Sequence, residues 1–279
     1  IDNGDHWTQA NNGLDVAASF SIVASDGYLY AGTGDKGVFR ASVNTLSWVP
    51  ANSGMEGAVI SDLFVDGTNL YASGGDKVYR TANRGVTWTT LSHFTHANVL
   101  SLVVIGHRLY AGCAEGVFLS LDSGASWTAV NSGLTDTDIR CLAVMGDNIY
   151  AGTWHSGLFV SSDYGANWVA SNNGLTSTLI EDIVVSDNNL FVGGRGAFFS
   201  SDNGANWTEV ETGLTSSSVR SLGVHGSTVL AGTGSGPFRT TDNGVNWAPI
   251  SDGMVGSAAW STFAHGSMVY AGTFANGLF

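Results

Sequence analysis

Proline is almost missing from this chain, with 3 in 279 residues, and charge is thin, at 12%. Ten basic residues stand against 23 acidic ones, a formal charge of -13, and no Lys/Arg cluster offsets it locally. Nucleic acid and anionic membrane surfaces both select for a positive patch, so this balance points away from them and toward a soluble acidic surface. No apolar run approaches the roughly 18 to 20 residues that cross a bilayer, and Ile1-Asp2-Asn3-Gly4 does not read as a signal peptide. Neither cysteine, Cys113 or Cys141, has a Cys-x-x-Cys partner, and the 7 histidines show no His-x-x-x-His spacing. His93 and His96 share a loop and read as polar surface. No metal site and no organic cofactor is expected.

Glycine and apolar residues are plentiful, 38 Gly and 43% hydrophobic, which suits short strands joined by tight turns rather than helices. Tryptophan supplies the organising signal. Trp7, Trp48, Trp88, Trp127, Trp168, Trp207 and Trp247 recur at intervals of 39 to 41 residues. Self-similarity at about 40 residues marks a stack of units, none of which can bury its own apolar faces alone. The repeat runs without a linker, so residues 1–279 read as one domain.

The cleanest unit carries a β-branched run at Ile139-Arg140-Cys141-Leu142-Ala143-Val144, a Gly146-Asp147 turn, and a second run from Ile149 to Thr153. A third run follows at Leu158 to Ser162 and a fourth at Asn167 to Ala170. Four antiparallel strands per unit make a propeller blade, first strand innermost and fourth at the rim. The prediction is an all-β, seven-bladed β-propeller of four-stranded antiparallel blades. Before five of the tryptophans stands Asp-x-Gly-x-x-Trp, from Asp2, Asp122, Asp163, Asp202 and Asp242. The Asp can accept backbone N–H groups of its own turn, the Gly supplies φ > 0, and the Trp fills the wedge between blades. Asn83 replaces the Asp before Trp88, and the stretch Val43 to Trp48 keeps only the Trp.

These boxes resemble the Asp-box (BNR) propeller repeat of sialidases, sortilin-type receptors, endo-xyloglucanases and photosystem II assembly propellers. The resemblance implies that the box is a structural turn away from the functional face. A sialidase site is not implied, because the Phe-Arg-Ile-Pro motif is absent. The endo-xyloglucanase resemblance implies two rings clamping a glucan, and one is present here. The photosystem propellers imply a basic patch that holds a polypeptide terminus.

Gly277-Leu278-Phe279 matches Gly157-Leu158-Phe159, yet three residues separate Phe159 from its box Asp and only Ile1 precedes Asp2. The two ends are therefore about two residues short of a continuous repeat. Residues 1–10 are expected to serve as the outer strand of the last blade and to close the ring. Cys113 and Cys141 lie in successive blades, where a bridge and two separate buried thiols are both open readings.

Function is sought where the repeat breaks. The first position of each inner strand reads Phe20, Ser61, Leu100, Arg140, Glu181, Arg220 and Trp260 around the ring. The loops from second to third strand add Asp35-Lys36, Asp76-Lys77, Glu115, Trp154-His155, Arg195 and Phe274. One sector gathers Arg140, Trp154, His155, Glu181, Arg195 and Arg220, where an indole face beside a guanidinium and a carboxylate can stack on a sugar or grip a peptide carboxylate. Trp260 with Phe20 and Phe274 offers either a second apolar patch or, for Trp260, buried packing between blades. Arg40, Arg80 and Arg239 repeat at one position and read as blade surface. The expected function is a non-catalytic binding propeller with a protein or ligand site on the channel-mouth rim. A lectin-like carbohydrate module is the alternative and a glycoside-hydrolase-related domain the third reading, limited by the lack of a pairable acid couple among Asp62, Glu181 and Asp182. Low lysine and abundant Asn, Ser, Thr and Gly suggest an extracytoplasmic or secreted bacterial protein, one excised from a larger chain.

Overall fold

The computed structural model describes residues 4–14, 19–93, 98–254, 258–266, 268–273 and 276–279. These residues form an all-β propeller. Six sheets are four-stranded and antiparallel, in sequential order from inner to outer strand, and a further sheet has two strands. The unit read most clearly from sequence is representative. Ile139–Met145 pairs with Asn148–Thr153, which pairs with Leu158–Ser161, and the outer strand is the short Val169–Ala170.

Seven four-stranded blades are predicted, and the structure shows six. The remaining sheet pairs Ala259–His265 with Met268–Thr273. Among the described residues, 276–279 lie opposite its second strand. They make a single bridge, Gly272 to Leu278, and a reciprocal pair of backbone bonds between Ala271 and Phe279.

The core lies between blades, as the repeat requires. Second strands are buried on both faces along most of their length. The glycine in each lets the next blade approach. A Cβ on Gly152 would stand 2.6 Å from the Ile180 side chain, and one on Gly112 would stand 2.7 Å from that of Ile139. The second-strand tyrosines are blade-to-blade struts: the Tyr110 hydroxyl donates to the Tyr164 carbonyl at 2.9 Å and that of Tyr150 to the Asn203 carbonyl at 3.1 Å.

The tryptophans act as the wedge that sequence predicts. Indole N–H groups of Trp168, Trp207 and Trp247 donate across the seam to the carbonyls of Val130, Ser171 and Val210, at 2.7, 2.9 and 2.8 Å. The turn before them explains why the box carries an Asp. Asp163 accepts the Asn167 backbone N–H at 2.8 Å, its side-chain amide at 2.9 Å and the Ser161 hydroxyl at 2.9 Å. Asp122, bound in the same way, is held down to about 2, led by its hydrogen bond from the Ser126 hydroxyl. Asp122, Asp163, Asp202 and Asp242 each accept hydrogen bonds within their own turn, and Asp2 lies outside the described residues.

One regularity escapes the box pattern. Six residues after most of the tryptophans comes a glycine, at Gly13, Gly54, Gly133, Gly174, Gly213 and Gly253, and a Cβ on any of them would fall 2.1 to 2.5 Å from the carbonyl oxygen of the next tryptophan. This outer turn is where consecutive blades touch backbone to backbone.

The two thiols are free. Cys113 packs with Tyr71 and Val78 of the preceding blade, whereas Cys141 packs with Ile180 and Ile183 of the following one. They face away from each other, which removes the bridge.

Candidate functional site at the channel mouth

Around the channel six inner strands share one local feature, a break in register, which the strand Asp62–Asp66 lacks. Pairing jumps between Ser19 and Ser21, Ile139 and Cys141, Ile180 and Asp182, Val219 and Ser221, and Ala259 and Ser261. The skipped residues are Phe20, Arg140, Glu181, Arg220 and Trp260, and Leu100 is skipped likewise opposite Gly112 and Cys113. A β-bulge leaves its extra residue unpaired and re-aims its side chain. A regular hairpin about the Gly146-Asp147 turn would pair Arg140 with Thr153; the bulge hands that place to Ile139 and leaves Arg140 at the channel.

The result is a cavity of about 360 Å³, lined by Ser61, Leu100, Arg140, Glu181, Arg220 and Trp260 above the second tier of inner-strand residues. Two guanidinium–indole stacks mark its lip. The Arg140 guanidinium carbon lies 4.4 Å from the Trp154 ring centre, and that of Arg220 lies 4.6 Å from the Trp260 ring centre. Arg140 also pairs with Glu181 at 3.4 Å, both side chains partly open to solvent. Trp154 remains 36% exposed, with His155 edge-on to it at 6.2 Å between ring centres. The loop below holds that pair in place, since the Trp154 N–H donates to the Asp138 carbonyl at 3.0 Å and the His155 N–H to the Asp136 carboxylate at 2.8 Å.

Five of the six candidate residues thus converge: Arg140, Glu181 and Arg220 line the cavity, and Trp154 and His155 adjoin it through Arg140. Arg195 does not. It stands exposed at the tip of a tight turn between Gly194 and Gly196, its backbone bridged to Ser218. Trp260 is half-buried beside Arg220 and not sealed between blades. Its expected patch with Phe274 reaches a residue outside those described, as does the loop partner His96. Arg40, Arg80 and Arg239 sit on blade surfaces, bonded to the Arg84 carbonyl, the Asn69 side chain and Asp5.

Below the lip runs a tier of short polar side chains that sequence inspection missed, because each was judged alone and not as a ring. The Ser21 hydroxyl accepts the Leu63 N–H and donates to Asp62, at 3.0 and 3.3 Å. Asp62 accepts the Leu102 N–H at 3.0 Å, Ser101 accepts the Leu142 N–H at 3.0 Å, and Asp182 accepts the Leu222 N–H at 2.7 Å. Each side chain laces its strand to the next inner strand. Burial pushes the Asp62 carboxyl up to about 6 and that of Asp182 to about 7, the backbone bonds only partly offsetting the loss of water, and for Asp182 the nearby Asp62 and Glu181 add to the rise. Both acids act as struts, a role shared with Ser21 and Ser101 in other blades. Among the described residues no group of three or more His, Cys, Asp or Glu side chains could hold a metal ion.

Known proteins resemble the chain in fold. The DUF6242 beta propeller domain matches residues 160–259. No curated protein sequence matches. Among solved structures, the extracellular domain of the B. thetaiotaomicron protein BT4673, described as a hybrid two-component system, superposes with a TM-score of 0.83 at 17% identity, over 98% of this chain and 39% of that one. YCF48 from Cyanidioschyzon merolae gives 0.76 at 14%, over 98% of each chain, and a YCF48 bound to D1 peptide gives 0.73 at 14%, over 95% and 92%. A GH74 xyloglucanase from Xanthomonas campestris gives 0.72 at 18%, over 98% and 53%. The chain spans about two fifths of the length of the first of these. Identities this low establish the propeller fold alone.

Proposed function

We propose that this chain is a non-catalytic binding propeller whose channel mouth grips an extended polypeptide segment through Arg140, Trp154, Glu181 and Arg220. The Arg140 stack carries the reading. A guanidinium laid on an indole and paired to a carboxylate is already ordered, so it offers its remaining N–H fork to a ligand carboxylate at little further entropic cost. A YCF48 of the same fold is bound to a peptide, which supports a protein partner. The half-exposed Trp154 face supports sugar stacking as a second reading.

The ring is proposed to count seven blades, the two-stranded sheet being the inner half of the last one and residues 1–10 its outer edge. The supporting bonds repeat those of the complete blades. The Ala10 N–H donates to the Leu278 carbonyl at 2.9 Å, as Ser171 does to Leu158 at 2.8 Å. Asn11 accepts the Leu278 N–H at 2.7 Å, as Asn172 accepts that of Leu158 at 2.8 Å. The Trp48 indole reaches the Ala10 carbonyl, and the Trp7 indole that of Ile250. An extracytoplasmic location is proposed from the likeness to extracellular domains of B. thetaiotaomicron proteins; no helix among the described residues is long and apolar enough to cross a membrane.

Peptide and glycan arrays probed with the protein and with an Arg140→Ala, Trp154→Ala double variant test the site, with melting curves to establish that both fold. Saturable binding to acidic peptides, lost in the folded variant, is the expected result. Glycan binding lost in the same variant would replace it with the lectin reading, and binding unaffected by the variant would remove this site altogether.

A further inference from the structure

The channel continues past the polar tier into a second cavity of about 480 Å³, and its chemistry differs from that of the mouth. The C-terminal halves of the inner strands line it with Phe64, Val103, Val144, Val184, Val224 and Phe263, while Gly223 takes the place of a larger side chain in its blade. Asp62 and Asp182 form its inner end. Among the described residues they are the only ionisable side chains on its wall, and no Lys, Arg or His lines it. Neither carboxyl has an ion-pair partner among the described residues; their hydrogen bonds run to backbone N–H groups and, for Asp62, the Ser21 hydroxyl.

An apolar tube ending in two carboxyls without a counter-ion has a definite complement. We infer that this half of the channel is a separate binding site for an apolar primary ammonium, an alkyl or aryl amine whose hydrocarbon lies along the valines and phenylalanines and whose –NH₃⁺ reaches Asp182 and Asp62. Charge complementarity selects the cation, since an anion would meet two acids and no donor side chain except hydroxyls. Hydrocarbon selects the stem, because a small hydrated cation would gain nothing from the aliphatic wall and would forfeit its water. A carboxylate already bonded to one backbone N–H keeps lone pairs for an ammonium, so the struts and the ligand are compatible. The volume lies within the range of roughly 300 to 1,000 Å³ usual for small-molecule sites.

Asp62 and Asp182 line both cavities, but the valines of the lower wall do not line the mouth with Arg140, so variants at the mouth distinguish failure of this site from failure of that one. Calorimetric titration at pH 8 with n-hexylammonium, with 1-hexanol as the uncharged match and ammonium chloride as the stemless one, provides the test. Hexylammonium should bind at one site, with both controls weaker by tenfold or more. Asp182→Asn and Asp62→Asn each keep an oxygen for the backbone strut, so folded variants should lose hexylammonium affinity by tenfold or more, while the Arg140→Ala, Trp154→Ala variant retains it. Equal binding of hexanol, or affinity unchanged in both Asn variants, would overturn the ammonium assignment. Absence of hexylammonium binding to the unaltered protein would overturn the site.

Discussion

Asp62 and Asp182 set the behaviour of the molecule toward acid. Each titrates higher in the folded ring, at about 6 and about 7, than the value near 3.8 expected of an unfolded Asp. Between roughly pH 4 and pH 7 the folded state therefore holds more protons than the unfolded one, and stability falls as pH rises through that window. Titratable neighbours facing Asp182 are Asp62, Glu181 and the Cys141 thiol, and the Arg140 guanidinium stands nearby. Melting temperature should decline from pH 4.5 to pH 7.5 and level off beyond it. Asp182→Asn should flatten that decline and stabilise the ring at pH 8 by on the order of 2 kcal/mol, after allowance for channel water. A profile that rises with pH would show that the boxes' depressed carboxylates outweigh the two struts. This pair was visible in sequence as inward acids, but nothing in one blade discloses that the same position in its neighbours is Ser21, Ser101 and Ser221. A role defined by a ring of equivalent positions requires the register, and the register contains a bulge.

At the scale of turns and strands, much of the architecture was legible because each feature repeats. A tryptophan about every 40 residues, an Asp five residues ahead of most of them and a small residue in the second strand are all consequences of blades packing face to face. Bulges were not legible, since a skipped residue leaves the alternation of its strand intact on either side and looks like variation. Arg140, Glu181 and Arg220 vary at positions that line the cavity, whereas Arg195 varies at the exposed tip of a tight turn. The outer-turn glycines make a sharper test of the packing than the boxes do. Gly174 has φ of +89° and a Cβ there would lie 2.1 Å from the Trp207 carbonyl oxygen, whereas Gly146 has φ of +61° and open space around it. Gly146→Ala should cost about 1 kcal/mol, the left-handed backbone penalty alone. Gly174→Ala should cost about 3 kcal/mol or more, since two blades must separate to admit the methyl group. Equal losses, measured by denaturant titration, would mean that the seam yields easily.

For the whole molecule the decisive contacts are those between residues 7–11 and residues 250–279. Removing residues 1–10 takes away the Ala10 carbonyl on which the Trp48 indole hangs and the Ala10 N–H bonded to Leu278. The truncated chain should melt at a lower temperature and show a larger radius of gyration in small-angle scattering; an unchanged radius would mean that the ring holds without them. The count of seven was read from tryptophan spacing, whereas the structure shows six four-stranded blades and one two-stranded sheet, beside which short pieces from opposite ends of the sequence are hydrogen-bonded to each other. Those pieces also impose an order in time. Asn11 and Leu278 are 267 residues apart, and at a synthesis rate of about 5 to 20 residues per second roughly 13 to 53 seconds pass between their emergence from the ribosome. For that interval residues 7–11 wait with these hydrogen-bonding groups unsatisfied while the later blades assemble beside them. The nascent protein is thus exposed to wrong pairing at residues 7–11 until residues 276–279 have been made.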